Sequence, residues 1–424
     1  MRLTRSVALV TSVLLASCGS PPVRTPVQRE TDSAAAVKDL QASQFADARS
    51  EAEHALALDP HNSRAAAVRA IAHYQQAGNQ LYRDLEMLMH NADGLHFLAH
   101  AEGHAMWQKF EDALDQIDGD LAVVAADPEF TLELCIACWK NDWNHNGRID
   151  SRDDKLFEIE YDPHCAPDAP DCSDEIPEGD PRRRPTFKFD RGDADWARAM
   201  IGFQRGVVEI ILAYRWNDLD KLFSSSHGKA PKLTIPLADP KRVQHARELF
   251  VAALKYSERS RVEYLAETDD DREWLPNPKQ KNHPIPLPMD DDIYNTWQHV
   301  VGDVLRMLAS DEGLSLRAVA GMVEPQAALY LPDAFLDLGA LLREPSDIVI
   351  DLATFDDDDR LSRLNPEAVR PRVETFLRGI LGHGYAAKMK PSPIIERLER
   401  MKAELSLGHG ETLERKLHYL FWIN

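Results

Sequence analysis

"FADARSEAEHALALDPHNSRAAAVRAIAHYQQAGN", residues 45–79, is the stretch that sets the fold class. Ala48, Ala52 and Ala55 recur at three- and four-residue spacing, and Ala70 and Tyr74 do so further on. That spacing puts small side chains on one helix face. Pro60 interrupts the run, because an interior proline removes a helix donor and clashes with the preceding turn. A new helix is expected to start near Asn62. The stretch therefore reads as two helices back to back, with alanine where their backbones meet. Working outward, the helical pattern runs from Ala34 to about Pro128, and "FEDALDQIDGDLAVVAADPEF" (110–130) reuses the same kind of ending at Ala126-Asp127-Pro128.

Small residues between paired helices, with a proline closing the second, make this region similar to the tetratricopeptide repeat. The resemblance covers about one and a half repeats and implies a solenoid-like array with a surface for protein partners. Further along, 193–214, 239–267, 290–310 and 366–384 each carry helical patterning, as does the C-terminal "GETLERKLHYLFWIN". Pro240 occupies a first-turn position. "SDIVIDLATF" (346–355) is the candidate strand, and the loops between helices are rich in Pro and Asp, notably 277–292 and 354–367. The expected fold class is mostly α: a helical-repeat array with long Pro/Asp-rich loops.

Hydrophobic residues at 44% and charged ones at 28% suit a folded chain, and a net charge of −21 argues against nucleic acid, whose phosphates it would repel. The N-terminus carries Arg2 and Arg5, then an apolar run from Val7 to Ser17 that is too short for a permanent membrane span. Leu15-Ala16-Ser17-Cys18 resembles the lipobox of bacterial lipoproteins. That resemblance implies a signal peptide over 1–18, lipid on Cys18 and anchoring to the membrane through it. Gly19 stands where an aspartate would resemble an inner-membrane retention signal, so the outer membrane is favoured. Residues 19–33, with their prolines and polar side chains, read as a flexible tether. The remaining divisions are a tetratricopeptide-like region (34–128), a loop and cysteine region (129–190) and a C-terminal helical region (191–424).

Within 129–190, "CWKNDWNHNGRIDSRDDKLFEIE" (138–160) alternates oxygen-bearing side chains around a glycine. An EF-hand-type calcium loop needs ligands at its first, third, fifth, seventh, ninth and twelfth positions, with glycine sixth. Asp142, Asn144, Asn146, the Arg148 carbonyl, Asp150 and Asp153 fill those positions, and Gly147 fills the sixth. Asp153 in the last position makes the loop similar to the dockerin version and implies weak calcium binding. Ile149, eighth, is expected to tuck inward. "FTLELCIACWKN" is expected to supply an entering helix and "SRDDKLFEIE" an exiting one. The acidic runs 269–271, 290–292 and 356–359 lack both the glycine and the alternation, so a single hand with a structural ion is expected.

Four cysteines remain besides Cys18: Cys135, Cys138, Cys165 and Cys172. In an exported chain two disulfides are favoured over a four-cysteine zinc site or a redox Cys-x-x-Cys pair. Bridges crossing the calcium loop are expected, since a Cys135–Cys138 link is awkward on a helix. His96, His100 and His104 fall at four-residue steps on one helix face, which reads as packing before metal binding. Gly382-His383-Gly384 reads as a turn with an exposed histidine. No catalytic motif stands out, and paired carboxylates cannot be singled out among 70 acidic residues. The expected function is a calcium-binding, lipid-anchored cell-envelope scaffold for an envelope protein partner. The rival is an envelope hydrolase with its site in the C-terminal helical region.

Overall fold

Alanine does meet alanine where the spacing places it. The computed structural model describes residues 24–91, 101–143, 148–150, 153, 155–162, 175–217, 232–268, 270, 272–285, 289–355 and 365–406. The first helix, α1 (Pro26–Gln41), opens on a reciprocal cap: Gln28 N–H donates to Thr25 Oγ1, and Thr25 N–H donates to Gln28 Oε1 at 2.9 Å. Helix α2 (Phe45–Leu58) buries Ala48, Ala52 and Ala55. It ends at Asp59, whose extended backbone is what a following proline favours. Helix α3 (Ser63–Asn91) then starts as expected: Asn62 is fully buried, and its side chain accepts from Ala65 N–H at 3.1 Å. Helix α4 (Ala101–Ala125) completes the first group. In this group α1 packs on α2 and α3, α2 on α3, and α3 on α4.

The tether expected over 19–33 is helical from Pro26 onward, because the Thr25 cap and Pro26 in the first turn start α1 early. Cys18 and the apolar run before it lie outside the described residues. Among the described residues, no helix is long and apolar enough to cross a membrane.

Helix α5 (Arg191–Ala213) packs on α4 and most extensively on α6 (Pro240–Ala266). Gly206 makes that close approach possible: a Cβ there would lie 2.3 Å from the Phe250 ring. Arginines tie neighbouring helices across each step. Arg69 Nε pairs with Asp120 at 2.8 Å between α3 and α4. Arg198 pairs with Asp118 and Arg205 with Glu111 between α4 and α5, both at 2.8 Å. Arg242 reaches Glu209 at 3.0 Å between α5 and α6. In a chain this acidic, guanidinium groups between helices both neutralise charge and fix which turns face each other.

Five more helices follow: α7 (Asp291–Ala309), α8 (Leu316–Val323), α9 (Leu338–Arg343), α10 (Pro366–Leu381) and α11 (Ile394–Ser406). Helix α7 packs on α6, and α11 packs on α7. The C-terminal stretch 410–424 lies outside the described residues. Strands are short and antiparallel. Strand β1 (Leu132–Leu134) pairs with β2 (Phe187–Phe189), and β3 (Lys232–Ile235) pairs with β6 (Ile348–Asp351). Strands β4 (Leu314–Ser315), β5 (Phe335–Leu336) and β7 (Tyr385–Ala386) form a three-stranded sheet in the order β4-β5-β7. The candidate strand at 346–355 is thus β6, shortened by a 3-10 turn at Leu352–Phe355. His383 is exposed in a 3-10 turn, as expected.

Candidate functional site

The loop region departs from a helix–loop–helix on its entering side. Leu132 and Leu134 are buried and Glu133 points outward, a period of two that pairs with β2. The expected entering helix is therefore a strand followed by a 3-10 turn, Ile136–Cys138. That tight turn brings the cysteine Cα atoms to 5.3 Å, and Cys135 bonds Cys138. The crossed bridges expected from the sequence are corrected for this pair: the obstacle was a helix, and the helix is not there. Cys165 and Cys172 lie outside the described residues. On the exit side Asp153 is helical, residues 151, 152 and 154 lie outside the described residues, and 155–157 make a turn before 158–160 run on without helix, burying Phe157 and Ile159. Ile159 N–H donates to the Arg183 carbonyl at 2.9 Å, which draws the chain away from a helical path.

Of the expected calcium ligands, Asp142, Arg148, Asp150 and Asp153 are described, whereas Asn144 and Asn146, with Gly147, lie outside the described residues. Asp150 N–H donates to Asp153 Oδ2 at 2.9 Å, and Asp153 is buried. Ile149 is 55% exposed, so the inward tuck expected of it does not occur. Among the described residues, no three His, Cys, Asp or Glu side chains gather into a metal-holding group. The donor chemistry, all hard oxygen, suits calcium over a soft transition metal. His104 Nε2 meets the Tyr214 carbonyl at 3.2 Å and so links α4 to the end of α5. His96 and His100 lie outside the described residues.

Two cavities and one polar cluster stand out instead. The first cavity, about 120 Å³, lies between α3, α4, α5 and the β1–β2 ribbon. Ala67, Ala70, Ala194 and Ala197 leave the space, and Phe130, Trp139, Trp143, Phe189 and Trp274 wall it. Trp143 stacks on Trp139 with centroids 6.4 Å apart and meets Phe157 edge-on at 4.5 Å. The second, a polar groove of about 410 Å³, runs between α3 and α4 with Arg49 of α2 at its side. Gln76, Gln80, Arg83, Lys109, Asp112 and Gln116 line it. His73, also in this groove, is pushed down to about 4 by burial and by the nearby Arg49 and Arg69, so it is neutral at pH 7.

The polar cluster caps α5. Asp190 Oδ1 accepts from Gly192 N–H at 2.7 Å, and Asp193 Oδ2 accepts from Asp190 N–H at 2.8 Å. Asp193 Oδ1 accepts from Tyr264 Oη at 2.7 Å. Glu267, which follows α6, stands beside them, as does buried Glu273. Burial, then the neighbouring carboxylates, push Glu267 up to about 10, and burial likewise holds Asp193 well above the usual carboxylate range. Glu267 Oε1 finds no donor, yet Asp190 is within hydrogen-bonding reach. The Pro/Asp-rich loop 277–292 walls this cluster: Gln280 Nε2 donates to Glu267 Oε2 at 3.1 Å, and buried Asn277 donates to the Tyr264 carbonyl at 2.9 Å. Outside this cluster Glu111 is raised as well, pushed up to about 7 by burial although Arg205 pairs with it.

Sequence reasoning missed the carboxyl cluster. Its one local signal is the Asp190-x-x-Asp193 capping pattern, which marks a helix start and not a site. Comparison with protein-family models, with curated proteins and with solved structures returns no match for this chain.

Proposed function

We propose that this chain is a calcium-binding, lipid-anchored cell-envelope scaffold, held through Cys18 to the outer membrane, whose helical array engages an envelope protein. The observation that carries the reading is the polar groove between α3 and α4. Long amide and guanidinium side chains along it, bonded to one another as Arg49 to Gln76 and Arg83 to Gln80, have surface bonds to exchange for those of an extended polypeptide's main chain. A repeat-like array that stacks each helix on its neighbour gives such a groove a rigid base. Calcium, in this reading, offsets the repulsion among Asp142, Asp150 and Asp153 and braces the segment beside the array. The rival hydrolase has its best support in the carboxyl cluster around Asp193. We rank it second because those carboxyls are engaged with a helix start, Tyr264 and Gln280.

A photo-crosslinker placed at Gln80 in cells, followed by mass spectrometry, tests the scaffold. A defined envelope partner should be captured, and Lys109→Glu with Arg83→Glu should abolish its capture. Equal capture from Gln80 with and without those reversals would remove the groove from the proposal.

A further inference from the structure

We propose that the cavity between α3, α4, α5 and the β1–β2 ribbon is a binding site for a small, largely apolar molecule that carries one hydrogen-bond acceptor. This site is separate from the polar groove and does not rest on the scaffold reading. At about 120 Å³ the space approaches the roughly 150 Å³ of an apolar cavity that stays dry and takes up benzene. Its walls are aliphatic and aromatic, from Ile117, Leu121 and Ile201 to Trp274.

The second observation is a buried donor. Trp139 lines the cavity, is 4% exposed, and its indole N–H has no hydrogen-bond partner. Three other polar side chains of the lining are bonded. Tyr74 Oη accepts from Gln204 at 2.9 Å, Gln75 Oε1 accepts from Asn141 at 3.1 Å, and both Asp193 oxygens are taken. A space without filling atoms and a buried N–H without an acceptor each lower stability. Trp139 joins the two, since it lines the space and carries the N–H, and one molecule with an apolar body and a carbonyl or ether oxygen would satisfy both. Its body would sit against the alanines of α3 and α5, and its oxygen would accept from Trp139 Nε1.

The test uses the full chain carrying Cys18→Ala and two probes of similar size, toluene and acetophenone, followed by titration calorimetry and tryptophan fluorescence. Both should bind saturably at one site, acetophenone about five-fold more tightly through its carbonyl. Trp139→Phe keeps an aromatic wall and removes the donor, so it should bring acetophenone down to the affinity of toluene and leave toluene unchanged. Ala197→Leu should fill the space and abolish binding of both, with helix content preserved. Absence of saturable binding in the parent, or undiminished binding in Ala197→Leu, overturns the site. Unchanged acetophenone affinity in Trp139→Phe overturns the donor assignment and leaves the N–H to the ring of Phe45, which meets Trp139 edge-on at 5.6 Å.

Discussion

Replacing Glu267 by glutamine should make this protein more stable at neutral pH, and the gain should depend on pH in one direction only. Glu267 is half-buried beside Asp190, Asp193 and Glu273, and it sits at the C-terminal end of α6, where the helix dipole also disfavours a negative charge. Its folded-state value is raised above the ordinary 4.5, to about 10. A group raised in this way contributes stability that is fully present below the unfolded value and is lost as pH rises through the folded one. While the folded value stays above 7, the loss at pH 7 depends only on the distance from 4.5, at about 1.4 kcal/mol per pH unit, or roughly 3 kcal/mol. Glutamine removes that loss, keeps an acceptor for Gln280 and offers an amide donor to Asp190. Imperfect replacement of the protonated carboxyl's O–H donor costs roughly 1 kcal/mol, leaving a net gain of about 2 kcal/mol at pH 7. Urea midpoints of Glu267→Gln and the parent at pH 5, 6, 7 and 8 measure it. The difference should be small at pH 5 and widen with each step. A difference independent of pH, or a variant that weakens as pH rises, would mean that Glu267 is ionised and paired, and the reasoning fails.

Three further outcomes are expected. Changing Cys135 and Cys138 together to serine should lower stability by about 2 kcal/mol, the chain-entropy value for so short a loop, measured by denaturant unfolding under non-reducing conditions. A loss near the roughly 3.5 kcal/mol of a 30-residue loop would point back to crossed bridges. Calcium at ten times its dissociation constant should stabilise the folded chain by about 1.4 kcal/mol, read as a rise of a few degrees in Tm, and Asp142→Ala should abolish the rise. A large calcium-dependent change in far-UV signal would show a conformational switch in place of a brace. Cys18→Ala should release the chain from the membrane fraction, and a variant that still pellets with membranes and shows the processed mass would contradict lipid anchoring.

The helices were legible in the sequence because their signals are local. Alanine at Ala48, Ala52 and Ala55, the break at Pro60 and the helix start near Asn62 act within a turn or two of chain. Residues 132–134 were misread as helix because three residues carry too little periodicity, and their partner, β2, lies more than fifty residues away. With that helix gone, the cysteine pairing changed too, since a 3-10 turn admits a Cys135–Cys138 bond that a helix strains. The carboxyl cluster is the deepest case. Asp193 and Glu267 look like any other acids among 70, and only the packing of α5 against α6 takes them out of water and sets them side by side. Local propensity is written in neighbours along the chain. Burial, and with it the protonation of a carboxyl or the loneliness of the Trp139 N–H, is a property of what distant segments exclude.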